Sequence, residues 1–173
     1  SYLAQEALRN GGSEASGLFD KALSYYQQTL DIDPSDAGAL TSTAEVRTKV
    51  MPTAMSMLNV QALAQQGEQD AKRCHELTGE NPACEGNRLI LNAAAAERAV
   101  VAGADPMVYL RRVDESLTSL RKQKVQIPDI EQAVMLARYA AAVQRLHGGQ
   151  DPAPALEDFA DAQGRCYALA DKD

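Results

Sequence analysis

The sequence predicts an all-α chain: about eight helices in four antiparallel pairs, stacked as an α-solenoid that forms a single helical-repeat domain over residues 1–173. Three observations carry this reading. Strand signals are nearly absent, whereas apolar residues recur at three- and four-residue spacing along most of the chain. The connectors are short and built from turn residues, as in "NGG", "DPSD", "GEQ", "GENP", "GADP", "IPD" and "GGQDP", so successive helices must lie side by side. The punctuation also repeats. Pro82 and Pro128 stand 46 residues apart, as do the "GADP" at Gly103 and the "GQDP" at Gly149. At that offset Ala94, Ala95 and Ala96 align with Ala140, Ala141 and Ala142, Leu110 aligns with Leu156, and Val113 lies opposite Phe159. A fixed period of this length marks a helical-repeat array.

Each element has its own signal. The expected helices span about 1–10, 14–32, 36–66 with a break near Pro52, 68–79, 83–102, 106–124, 129–147 and 153–171. In "LFDKALSYYQQTL" the residues Leu18, Ala22, Tyr25, Tyr26, Thr29 and Leu30 keep helical spacing. Only Pro52 interrupts the reading from 36 to 66, because a proline removes one amide donor and clashes with the preceding turn. "AAAAERAVVAG" has the strongest intrinsic helix preference. In "YLRRVDESLTSLRKQ" the residues Leu110, Val113, Leu117 and Leu120 form one stripe with charges opposite. "EQAVMLARYAAAVQRLHGG" closes on a glycine pair, a helix C-terminal signal. Asp105 and Asp151 each precede a proline at a helix start, where they can cap exposed amides.

Composition narrows the function classes. Apolar residues make up 45 % of the chain and charged residues 24 %, an ordinary balance for a soluble domain. Aromatics are only 5 %, with no Trp. Alanine supplies much of the apolar share, so the core should be thin and the helices closely spaced. The net charge of -7 disfavours a nucleic-acid binder, which needs cations for phosphates. A basic or mixed-charge protein partner fits better, and so does a charge that serves solubility alone. No apolar run approaches the roughly 20 residues of a membrane span, and no charged-then-apolar leader opens the sequence. The three cysteines do not read as a disulfide framework. Cys74 and Cys84 can close a short bridge only in an oxidising compartment; otherwise all three are small apolar contact residues. A cytoplasmic setting is favoured, with an extracytoplasmic region of an anchored protein as the alternative.

The stretch "LDIDPSDAGAL" decides between two chemistries. Asp31, Asp33 and Ser35 alternate as in an EF-hand calcium loop, but the sixth and twelfth positions hold Asp36 and Ser42 instead of Gly and Glu. The stretch therefore reads as a joint between helices, with Pro34 ending one and Ser35 or Asp36 capping the next. "DKALSYYQQTLDIDPSDAGAL" resembles the second helix of a tetratricopeptide (TPR) repeat and its exit. Ala22, Tyr26 and Pro34 match the small, aromatic and proline positions of that motif. "AKRCHELTGENPAC" is a poorer copy ending at Pro82. The other half departs from the motif, with longer repeats and no first-helix Trp. Its recurring "G-x-DP-x-x-x-L", at Gly103–Leu110 and Gly149–Leu156, is similar to degenerate TPR-like regions that follow the catalytic domain in some bacterial eukaryotic-like serine/threonine kinases. That resemblance implies a sensor or scaffold region, not the catalytic part, since this chain has no kinase Gly-rich loop, HRD or DFG.

No catalytic constellation stands out. His75 and His147 lack HExxH spacing, and "CHE" at Cys74–Glu76 points three side chains in successive directions around a helix, so no metal site is expected. GxSxG, CxxC and phosphate-cradling glycine loops are absent. No cofactor is expected. The polar residues on the first helix of each pair remain. First helices of a TPR-like array line its concave face, where extended peptides dock. Arg47, Arg88, Asn92 and Arg138 fall there, and Asn92 and Arg138 are equivalent at the 46-residue offset. Arg can hold a carboxylate with two hydrogen bonds, and Asn can bond a peptide backbone; a solvated helix face is the alternative. The sequence thus points to a non-enzymatic interaction or scaffold module binding a protein or peptide, or another part of its own chain; the kinase resemblance implies a place in bacterial signalling. A helical dimerisation module, or a small-ligand or enzyme domain with its site in the concavity, are the alternatives.

Overall fold

A computed structural model describes residues 13–51 and 56–170. Among these residues there are seven helices and no strand: α1 (Ser13–Ile32), α2 (Ala37–Val50), α3 (Met57–Thr78), α4 (Pro82–Val101), α5 (Met107–Lys122), α6 (Pro128–His147) and α7 (Ala153–Ala170). The helix expected over 1–10 lies outside the described residues, as does Pro52.

Short polar side chains start the helices. Asp36 accepts the Ala39 amide at 2.8 Å, Ser56 the Asn59 amide at 3.3 Å and Asn81 the Ala83 amide at 2.9 Å. Asp105 and Asp151 accept the Met107 and Ala153 amides, each at 2.9 Å. Every such bond satisfies a donor that the helix cannot satisfy itself. In the α1–α2 joint, Asp33 accepts both the hydroxyl and the amide of Ser35. Those bonds hold its carboxyl below the usual aspartate range.

The sequence "GEQ" reads as a turn separating helices 36–66 and 68–79, yet α3 runs unbroken through Gly67. Helix α2 ends at Val50 and α3 starts at Met57, on either side of the break expected near Pro52. Gly67 is buried, and a β-carbon there would stand 2.0 Å from Leu91 Cδ2. Its lack of a side chain lets α3 and α4 touch, so a packing demand outweighs the helix cost of glycine, about 1 kcal/mol.

Neighbouring helices pack in order along the chain, and α4 also packs on both α2 and α6. The largest apolar cluster centres on α4, where Leu89, Leu91, Ala93, Ala95, Ala96 and Ala99 are fully buried. Across from them, α6 contributes Val134, Ala137 and Ala140, and α5 contributes Val113 and Leu120. Small side chains allow this close approach, and the core is thin as the alanine content implies. Phe19, Ala22 and Val46 join α1 to α2. A third cluster gathers Leu30, Ala39 and Leu40 around Cys74 and Cys84. These two cysteines form a disulfide between the end of α3 and the start of α4, with Cα atoms 6.4 Å apart. Cys166 is free and buried.

Candidate functional site

The packing of α2, α4 and α6 leaves a groove of about 850 Å³ on their shared face. Its floor is apolar and closely fitted. Gly86 of α4 would place a β-carbon 3.2 Å from Ile130 Cδ1 of α6. Ala94 and Ala133 are buried beside them, while Ile90 and Leu136 are half-buried. The rim is polar and exposed, with Glu45 and Lys49 on α2 and Asp129 and Gln132 on α6. Asn87 donates its side-chain amide to the Thr41 carbonyl at 3.2 Å, tying α4 to α2. An apolar floor with a few polar groups around it is the usual make-up of a binding cleft.

The four residues selected from the sequence do lie on α2, α4 and α6, but none lines this groove. All four turn toward the second helices. Arg47 forms an ion pair with Asp70 of α3. Burial pulls the Arg47 guanidinium pKa down from its ordinary value. Arg88 donates its Nε to both carboxylate oxygens of Glu68 in α3, at 3.0 and 3.1 Å. Its terminal nitrogens reach Ser116 Oγ at 3.2 Å and Glu115 at 3.0 Å, both on α5. Burial works against the Arg88 charge, but Glu68, with Glu115 and Glu85 behind it, more than offsets that and raises the pKa. Asn92 is 1 % exposed and donates to Glu68 Oε1 at 2.8 Å and to the Arg88 carbonyl at 2.9 Å. Arg138 contacts Asp114 of α5 at 2.6 Å and Asp158 of α7 at 3.6 Å.

These contacts carry the internal repeat. Asn92 bonds Glu68, and Arg138 bonds Asp114, each pair 24 residues apart in sequence. From Glu68 to Asp114 and from Asn92 to Arg138 the offset is 46 in both cases. The same polar seam between a second helix and the following first helix therefore occurs twice. The groove residues carry weaker sequence signals. Asn87, Ile90, Gln132 and Leu136 look like ordinary surface or core positions, and only knowing which face α4 turns to α2 and α6 singles them out.

Among the described residues no group of three or more His, Cys, Asp or Glu is arranged to hold a metal ion. No described helix is long and apolar enough to cross a membrane. Comparison with protein-family models, with curated proteins and with solved structures returned no match.

Proposed function

We propose that this chain is a non-catalytic, TPR-like solenoid that binds an extended protein segment in the groove across α2, α4 and α6. The groove itself carries the reading. It crosses three helices of alternate position, its floor is apolar, and exposed groups of both charges stand along its rim. An extended peptide suits that shape, because apolar side chains can enter the floor while its backbone meets Gln132 and the carboxylates. Arg47, Arg88, Asn92 and Arg138 take a supporting part in this reading. To grip a partner directly they would have to leave the carboxylates they already hold. The kinase resemblance fits a sensor or scaffold region of a signalling protein. The Cys74–Cys84 disulfide supports an oxidising compartment, as in the extracytoplasmic part of an anchored protein, over the cytoplasm.

The test is selection of binding peptides from a random displayed library, followed by calorimetry. Leu136→Glu and Gln132→Ala, in the groove, should each weaken a selected peptide, the former by about 2 kcal/mol. Arg111→Ala on the exposed face of α5 should leave affinity unchanged. A library that yields no groove-dependent binder, or peptides sensitive only to Arg111→Ala, would overturn the proposal.

A further inference from the structure

A second cavity, of about 580 Å³, opens where the end of α5, the α5–α6 connector and α7 meet. Leu117, Val125 and Ile130 line it together with Arg121, Lys124 and Arg165. One carboxylate, Glu131, also lines it. That carboxylate is buried and already engaged, accepting Arg165 Nε at 3.0 Å. Among the described residues, Arg121 and Lys124 make no side-chain ion pair. In a chain of net charge -7, three cations thus converge on one cavity against a single neutralised acid.

The backbone at Lys124 is a second, independent feature of this cavity. Helices α4, α5 and α6 end alike. The amides of Ala104, Val125 and Gln150 return to the carbonyls of Ala99, Leu120 and Arg145, at 3.0 Å or less. This closure places one residue in the left-handed region, where glycine is preferred because it has no β-carbon. After α4 and α6 that residue is Gly103 and Gly149, with φ of 69° and 66°. After α5 it is Lys124, with φ of 57°, the one non-glycine residue with positive φ among the described residues. A charged side chain is held at the cavity mouth in a conformation that disfavours it, a kind of strain that clusters at ligand clamps. Cations in the last turn also complement the helix dipole. Lysine could do so from a neighbouring unstrained position, so that role does not account for the placement.

We propose that this cavity binds a phosphate monoester. The lining charges sum to two positive, which suits a group close to dianionic at neutral pH with three acceptor oxygens. The guanidinium forks of Arg121 and Arg165 match such oxygens in pairs, and Lys124 supplies a point charge. The monoester can be a small molecule or a phosphorylated side chain of a protein segment.

Calorimetry at constant ionic strength tests this with O-phosphoserine, a phosphoserine peptide and the same peptide without phosphate. Saturable binding of the phosphorylated probes alone is expected. Arg121→Gln and Lys124→Gly should each weaken it about tenfold. Tighter binding of the phosphopeptide than of O-phosphoserine identifies a protein segment as the carrier, and equal binding a small molecule. Lys124→Gly guards against a folding artefact. By relieving the left-handed strain it should raise the phosphate-free melting temperature by about 2–4 °C while losing affinity. Absence of saturable binding, equal binding of the unphosphorylated peptide, or variants that bind like the parent would overturn the proposal.

Discussion

Arg88 and Arg138 both sit on helices that border the groove, yet their surroundings assign them different energies. The side chain of Arg88 is 18 % exposed, and Glu68, its main partner, is 21 % exposed. Removing it leaves Glu68 and the buried Asn92 to reorganise with little water. Arg88→Ala should therefore cost about 3 kcal/mol, the lower end for breaking a buried pair. Arg138 has the same exposure, but its partners Asp114 and Asp158 are more than half exposed. Water can take over those carboxylates, so Arg138→Ala should cost about 1 kcal/mol or less. Urea unfolding of the two variants checks the order. Equal costs would show that the Glu68 network is no more buried in solution than the Arg138 pairs.

At the scale of single helices, Gly67 and Gly164 make an internal comparison. Alanine at either position gains roughly 1 kcal/mol of helix preference. At Gly164 nothing lies within 4 Å of the added carbon, so Gly164→Ala should raise stability by about that amount. At Gly67 the added carbon meets Leu91, which is 1 % exposed and has little room to turn. Overpacking costs roughly 1–3 kcal/mol, so Gly67→Ala should be neutral to destabilising. Thermal melts decide it; a Gly67→Ala gain equal to that at Gly164 would mean that α3 and α4 are not in close contact. The disulfide between those helices closes a sequence separation of 10. Its reduction should lower stability by about 2–3 kcal/mol, measured by melting with and without dithiothreitol.

Gly67 also marks where sequence reading stops. The caps at Asp36, Asp105 and Asp151 were legible because a cap acts within three residues along the chain. The alanine blocks at 94–96 and 140–142 were legible because burial imposes a period. A glycine that ends a helix and one that admits a neighbour look the same until the neighbour is placed. The orientation of Arg88 was hidden for the same reason. Its carboxylate partners Glu68 and Glu115 lie 20 and 27 residues away. Spacing assigns an arginine to a helix, but the third helix packed against it decides which side becomes groove and which becomes seam.

For the molecule as a whole, the proposed function puts the binding face on α2, α4 and α6 together. Isoleucine provides a direct probe. The chain has four isoleucines. Ile90, Ile127 and Ile130 line the groove, whereas Ile32 is 87 % exposed at the end of α1. Methyl NMR of isoleucine-labelled protein, titrated with a selected peptide, reads both places in one spectrum. Peptide binding in the groove should make the Ile90, Ile127 and Ile130 methyl signals shift and saturate together while Ile32 stays fixed. A bound peptide that leaves those three signals in place would contradict it.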